Sequence, residues 1–529
     1  MKKRWTLTGL GFLLVAFFAA APVRGDDVDQ RIKSLEDELA RLKSEQTQVK
    51  AEQIELRKEA TAAEAALPNF SYRPGSGMLI EAADKSWSFR ASMEAHFRLL
   101  FESGLAESGR ETGGIMGRRF RPWFYYCVND CFYEIQAALD LDGFGTGNGK
   151  NSTNTATSSM LQRGTLWVHL EKLNPWLPAF YTGMDGEAAI SSYRQGSSDT
   201  GAQLEYDLLS RNNGFNTGRW GNGFGLNWQD KDLSDIGIPG RIALFNIVYA
   251  TIGEGDDGLQ SFREQRSVSA YINVQPLSQI KNKWIQGIGL EMGAWFCPND
   301  PNHTPQVAQD IACNRLRIQD NGDGGRQTLF DTGTNTSAGS SGLTHFLMPG
   351  FAWTVGPYRF RAVGGFQRFD DNNPHWKGNM FLLGHDLFIW SPKGFLTGDS
   401  ATAGSILLGT HFERTDVSCK PITPTVANPS GFCAAGAQFN RDRILLREWN
   451  IWYFLMNRMS VGATVAWYDA SNIRQAVAGA TAGATQTNIQ AGTNVARNLG
   501  CTSSHQHTIN RPGSDCNWPD VSVTWRYQF

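Results

Sequence analysis

Beyond its first two dozen residues, this 529-residue chain has no apolar run approaching the ~18 residues that a membrane-spanning helix needs. Any bilayer crossing would have to be made by strands. Charge of one sign is missing as well: 49 Lys and Arg stand against 51 Asp and Glu, leaving a net charge of -2 and no basic surface for nucleic acid. The 8 cysteines lack CxxC spacing, so they do not describe a zinc site, and no metal or other cofactor is expected. Neither GxSxG nor HExxH occurs, the 9 histidines are scattered, and no nucleophile triad can be distinguished, so the chain is not expected to be an enzyme. Asp320-Asn-Gly-Asp323-Gly lacks the alternating oxygen ligands and closing Glu of a calcium loop and reads as a turn.

What is abundant is glycine, at 56 residues, and aromatics, with 31 Phe, 17 Trp and 13 Tyr. The mean hydropathy is nevertheless -0.35. One greasy face and one wet face on the same sheet would reconcile the two values. The N-terminus carries Lys2, Lys3 and Arg4, then an apolar stretch from Leu7 to Ala21, then small residues ending at Gly25. Residues 1–25 therefore read as a secretory signal peptide.

Export puts the cysteines in an oxidising compartment, where their clustering suggests local disulfides: Cys127/Cys131, Cys297/Cys313, Cys419/Cys433 and Cys501/Cys516. With three residues between them, Cys127 and Cys131 are expected to face each other across a tight hairpin, and the other three pairs are expected inside long external loops.

Residues 26–67 change character. Ile32, Leu35, Leu39, Leu42, Val49 and Leu56 fall on the a and d positions of one heptad frame, with Gln46 and Gln53 at two a sites and charged residues outside. Such a stripe predicts a helix that pairs with copies of itself. A lone amphipathic helix folded onto the rest of the chain, or a peptidoglycan-facing tether, is the alternative.

A linker over 68–84 follows, and then the period drops to two. Trp87, Phe89, Ala91, Met93, Ala95, Phe97, Leu99 and Phe101 alternate with Ser88, Arg90, Ser92, Glu94, His96 and Arg98. Segments of this kind are expected near 86–101, 117–127, 131–142, 161–171, 179–185, 217–228, 240–252 and 264–275. Eight more follow, near 286–296, 345–355, 358–369, 377–389, 404–416, 441–454, 459–470 and 519–528. Long and short connections largely alternate between them, although 229–239 and 370–376 fit less well. The pattern predicts an all-β fold over 85–529: a sixteen-stranded antiparallel transmembrane barrel, with eighteen strands as the alternative count. The chain ends Val521-Ser-Val523-Thr-Trp525-Arg-Tyr527-Gln-Phe529, alternating to a terminal aromatic as the signal read by outer-membrane assembly machinery does.

The chain resembles the phosphate-selective porin O and P family. The resemblance rests on Arg118-Arg119-Phe120-Arg121, the hairpin to Leu139-Asp140-Leu141-Asp142, Tyr181-Thr-Gly-Met184 and the segment from Glu205 to Arg211. It implies a bacterial outer-membrane pore for small polar solutes or anions, phosphate included, narrowed by a constriction loop at about 185–216. It also implies a homotrimer held through the coiled coil and barrel, with the coiled coil in the periplasm. Asp185 and Glu187 stand where the family commonly has a basic residue, which argues against carrying phosphate selectivity over.

An anion path needs fixed cations in the lumen. Strand parity points to Arg90, Arg98, Arg119, Arg121, Arg359, Arg361 and Arg526, and the constriction loop adds Arg194 and Arg211. The plainer reading of each arginine is a partner for wall carboxylates such as Glu94, Glu134 and Asp140. The expected partners are outer-membrane lipid, other copies of the chain, the assembly machinery and the solutes themselves. A plugged, adhesive surface barrel working through its long loops 297–344 and 471–518 is the reading from another class.

Overall fold

The computed structural model describes residues 25–102, 112–139, 141, 161–184, 222–251, 266–299, 317–319, 328–331, 342–371, 375–397, 401–420, 439–456, 458–471 and 515–528. The chain forms two units, divided between Leu67 and Pro68.

The first unit is one helix, α1 (Gly25–Ala66). Its length follows from a sequence free of Gly and Pro after Gly25 and rich in Glu, Lys, Ala, Gln and Leu. In the single chain the heptad residues are exposed, with Leu35 65 % and Leu56 63 % accessible.

The second unit opens with a hairpin, β1 (Asn69–Arg73) and β2 (Gly77–Glu81). The expected linker is thus partly a strand pair. Only five residues lie on either side of the turn, too few for the period of two to stand out. The body of the unit begins with β3 (Trp87–Glu102), β4 (Thr112–Val128), β5 (Tyr133–Leu139), β6 (Leu161–His169), β7 (Ala179–Met184), β8 (Asn222–Asp232) and β9 (Arg241–Thr251). It continues with β10 (Arg266–Gln275) and β11 (Ile288–Asn299). A separate small pair, β12 (Arg317–Gln319) and β13 (Thr328–Asp331), interrupts the connection that follows. The wall resumes with β14 (Gly342–Val355), β15 (Tyr358–Asp371), β16 (His375–Trp390), β17 (Ile406–Lys420), β18 (Phe439–Met456), β19 (Met459–Ser471) and β20 (Asp515–Gln528).

Each wall strand pairs antiparallel with the next, and β20 pairs with β3 from Asp520↔Glu102 to Gln528↔Glu94, closing a sixteen-stranded barrel. Where β20 runs out, β2 takes over the edge of β3, from Met78↔Ala91 to Glu81↔Ser88. The sheet therefore has eighteen strands while the closure uses sixteen. Closure matters because hydrocarbon offers no hydrogen bonds to a free sheet edge.

Side-chain burial alternates along the strands. On β3, Glu94, His96 and Arg98 are buried while Phe97 and Phe101 are exposed; on β18, Ile444, Leu446, Glu448, Asn450 and Trp452 are buried while Trp449, Ile451 and Tyr453 are exposed. On β3 the inward set is polar and charged, and on β18 it mixes Glu448 and Asn450 with Ile444, Leu446 and Trp452. On both strands aromatic and aliphatic side chains are exposed on the outer face, where a soluble fold would bury them. The first wall strand starts and the last one ends at the same rim. Tight connections lie at that rim too: 129–132, 356–357 and 457–458. Connections 140–160, 185–221, 300–341, 421–438 and 472–514 join strands at the opposite rim. Short periplasmic turns with long external loops are the layout of an outer-membrane barrel.

Five expectations need correction. Residues 395–397 and 401–405 follow the Ser391–Gly394 turn without strand structure, so the connection from β16 to β17 is not tight. The connection β15 to β16 leaves only residues 372–374 at the long-loop rim. Residues 229–232 continue β8, and the turn to β9 is a 3-10 turn over Leu233–Ile236. Cys131 is not opposite Cys127 in the ladder: Cys127 pairs with Glu134, and Cys131 sits inside the turn.

The fifth correction moves three cysteines out of the external loops and into strands. Cys516 belongs to β20, opposite Ala470 of β19, and not to a loop running to residue 518. Asn517 and Pro519 read as loop residues in the sequence, yet pairing with β19 carries the strand through them. Likewise Cys297 is in β11, opposite Thr344, and Cys419 is in β17, opposite Trp376.

The disulfide Cys127–Cys131 still forms, with the α-carbons 4.5 Å apart. It staples a turn in which Asn129, Asp130 and Cys131 all adopt positive φ, a conformation that Asn and Asp tolerate and Cys does not favour. Cys297 is also disulfide-bonded. Cys313, Cys433 and Cys501 lie outside the described residues, and so therefore do the expected pairings Cys297/Cys313, Cys419/Cys433 and Cys501/Cys516.

Candidate pore lining

The lumen is lined by residues that the period of two sends inward. Arg98, Arg121, Arg361 and Arg526 are inward and buried, at 1 %, 8 %, 7 % and 5 % exposure. Arg90 shares the inward parity of β3 and is exposed. Arg359 is inward and forms an ion pair with Asp386, its register neighbour on β16. Arg119 is the register partner of His96, and its side chain lies outside what is described. Arg194 and Arg211, with the expected constriction loop, lie outside the described residues.

Between Arg119 and Gly117 the pairing with β3 skips one residue, so Arg118 is the extra residue of a bulge. Parity reverses there: Arg121 lies on one face, and Ile115, 78 % exposed, belongs to the other. Reading β4 as one uninterrupted alternation would have turned its outer end inside out.

The closure seam β20–β3–β4 gathers several inward charges. Arg526 pairs in register with His96, Thr524 with Arg98, and Glu94 with Arg121. Glu94 Oε1 lies 3.5 Å from His96 Nε2. Arg526 is held by an aromatic face, with its guanidinium carbon 3.6 Å from the Trp452 ring centroid. That ring lies flat on the wall because Gly462, its register neighbour, has no side chain; a Cβ there would come within 2.2 Å of the ring. Glycine, indole and guanidinium thus stack in that order from wall to lumen.

Carboxylates come from other parts of the circle. Glu291 on β11, Glu413 on β17 and Glu448 on β18 are inward and buried. Their oxygens are held by Asn273 Nδ2 at 3.1 Å, Thr415 Oγ1 at 3.0 Å and Asn450 Nδ2 at 2.8 Å respectively. Asn450 Oδ1 in turn accepts from Thr464 Oγ1 at 2.6 Å, which carries the network onto β19. His411 Nε2 lies 3.5 Å from Glu413 Oε2. The sequence-based selection, which looked for cations, passed over Glu291, Asp386, Glu413 and Glu448, although strand parity places each of them inward as directly as it does the arginines.

Nearer the turn rim, His169 bridges two carboxylates: Nε2 to Glu134 Oε2 at 3.1 Å and Nδ1 to Glu171 Oε1 at 2.7 Å. Aromatic residues also face this part of the lumen. Trp167 stacks on Tyr181 at 4.3 Å, and Arg163 lies over Trp123 at 5.3 Å. Among the described residues, no group of three or more His, Cys, Asp or Glu could hold a metal ion.

No protein-family model matches the chain, and no curated protein matches its sequence. Among solved structures it is similar to in-vitro folded OmpT, an outer membrane protein of Vibrio cholerae, at 11% identity over 84% of this chain and 98% of that one, with a TM-score of 0.43. It is similar to the high-pH structure of OprB of Pseudomonas putida at 9% identity over 84% and 95%, with a TM-score of 0.42. OpdQ of Pseudomonas aeruginosa is similar at 9% identity over 83% and 98%, with a TM-score of 0.34.

Proposed function

We propose that the chain is an outer-membrane porin, a passive conduit for small polar solutes in which lumenal arginines favour anions. The observation that carries this reading is the polarity of the closed wall: Arg98, Arg121, Arg361 and Arg526 turn inward while the same strands present Phe97, Phe120, Phe366 and Val521 outward. Keeping four guanidiniums inside a barrel is costly unless they serve a polar path or are neutralised there. Carboxylates on β11, β17 and β18 face the lumen from other strands, so a solute would cross a transverse field that orders polar molecules.

Phosphate is one candidate solute, because paired guanidiniums bind its oxygens in bidentate fashion. Membership of the phosphate-selective porin O and P family belongs to the same proposal. A pore of this kind works without catalytic groups. Self-association into a trimer, through α1 and the barrel wall, completes it.

The depth of burial of the inward arginines favours a second reading, in which the lumen is filled and the barrel is a structural or adhesive anchor. Planar-bilayer recording separates the two. A porin gives steady conductance and, under a salt gradient, a reversal potential on the anion side. Replacing Arg121 and Arg526 by alanine is expected to move that potential toward the cation side. A barrel with no steady current belongs to the second reading, and an unchanged reversal potential in the variant ends the arginine assignment.

A further inference from the structure

The outward face of the barrel should be apolar, and around much of the circle it is: Leu290, Met292 and Phe296 on β11, Phe224 on β8, and Phe97 and Phe101 on β3 are exposed there. On β15 to β18 this breaks down. Arg368 shares the parity of exposed Phe366, Lys377 that of Phe381, Arg414 that of Leu408, and Arg443 and Arg447 that of Trp449 and Ile451. All five cations therefore point away from the lumen. They lie toward the strand ends that lead into the long-loop rim, which is the outer-leaflet side.

The register brings them together. Arg368 is directly opposite Lys377, Asn379 opposite Asp416, and Asp416 opposite Arg443. Arg414 sits one step deeper on the face of Asp416, and Arg447 deeper again on β18. From Arg368 to Arg443 is three strand spacings, about 14 Å.

Among the described side chains two outward carboxylates accompany the five cations, and Asp370, two residues beyond Arg368 on β15, shares its parity. Asp416 is shared: Arg414 Nε donates to Oδ2 at 2.8 Å and Arg443 Nε to Oδ1 at 3.0 Å. Each guanidinium is thus anchored through Nε. The terminal amino groups of both make no hydrogen bond within the described residues, so they remain able to donate. Asp469 on β19 is the other carboxylate, opposite Leu445. Arg368 is braced by the carbonyl oxygens of Gln367 and Gly378 and by Asn379 Oδ1, at 2.8, 3.1 and 2.9 Å. Neither Lys377 nor Arg447 has a carboxylate partner among the described residues. Bare cations facing hydrocarbon are unfavourable, and least so at the interface, where an anion can meet them.

We propose that this patch binds the phosphorylated headgroup of an outer-leaflet lipid. Charge complementarity selects the occupant: anchored arginines with outward donors match phosphate oxygens. A second copy of the chain would need an acidic outward face. The described outward positions of β3 and β11 offer apolar side chains instead. The inference rests on the outer-membrane placement and not on conduction.

Native mass spectrometry of the full-length protein, released from detergent, tests it. The probes are a diphosphorylated glucosamine lipid, the same lipid with its phosphates removed, and inorganic phosphate. The wild type is expected to retain the diphosphorylated lipid at least about tenfold better than the dephosphorylated one, and millimolar inorganic phosphate should not displace it. The triple variant Lys377→Gln/Arg414→Gln/Arg443→Gln should lose that preference while keeping its heat-modifiable mobility and its conductance. Equal retention of the two lipids by the wild type overturns the proposal without needing any variant. So does displacement by inorganic phosphate, an unchanged preference in the triple variant, or loss of oligomer mass with lipid retention intact.

Discussion

Position 462 shows how much a single inward residue can decide. With nothing beyond its α-carbon, Gly462 lets the Trp452 ring lie against the wall and present its face to Arg526. Gly462→Ala is expected to push the ring off the wall and cost about 1–3 kcal/mol, read as a lower urea midpoint in detergent. Gly384→Ala provides the control. A Cβ there has no neighbour nearer than 3.8 Å, so the change should be close to neutral. The contrast could not be drawn from sequence, because both are inward glycines in the middle of strands.

A second residue-scale case is Asp84, in the turn from β2 to β3. Hydrogen bonding from Ser86, whose backbone N–H reaches Oδ1 at 2.9 Å, holds its carboxyl below the ordinary aspartate value. A depressed carboxylate stabilises the fold above its unfolded value and stops doing so as pH falls through its folded value. Protection of the Ser86 amide, its exchange rate divided into the intrinsic rate at the same pH, should therefore fall at pH values below that folded midpoint. Asp84→Asn should remove that change in protection.

At the scale of elements, the strands were legible because the period of two is a local property. Solvent sorts the two faces of each strand whatever its partner is. Five places were not legible, each for a physical reason. The hairpin β1–β2 is too short to show a period, and the bulge at Arg118 depends on the partner strand rather than on β4 itself. The turn holding Cys131 takes its shape from left-handed residues that spacing alone does not reveal. The first residues of β20, Cys516 among them, are held as strand by β19 despite the loop-like Asn517 and Pro519. The stretch between Gly394 and Ile406 lacks both a strand pattern and the length of an external loop. Helix α1 was legible from its heptads and from its lack of Gly and Pro after Gly25. Deleting residues 26–67, with residues 1–25 kept, is expected to leave a heat-modifiable barrel and to lower the oligomer mass seen by light scattering. Leu35→Asp combined with Leu42→Asp should do the same, since either charge would sit in the apolar seam. An unchanged mass in both variants would assign assembly to the barrel wall alone.

At the scale of the whole molecule, the prediction is that current, anion preference and lipid retention are separable. Lumenal arginine variants should change the reversal potential and leave lipid binding alone, and the outward glutamine variants should do the reverse. One sheet with two chemically opposite faces makes that separation possible. The sequence by itself determined that the chain crosses a bilayer as strands, which residues share a face, and where most of the short turns fall. Those properties follow from local alternation and from the lack, after the first two dozen residues, of an apolar run long enough for a spanning helix. The tertiary structure alone decided that β20 meets β3, that Arg526, His96, Glu94 and Arg121 form one seam, and that cations from four adjacent strands make a single outward patch. Those facts depend on register between strands. Register is set by closure of the whole ring, because a strand's own pattern repeats every two residues and fits many alignments equally well.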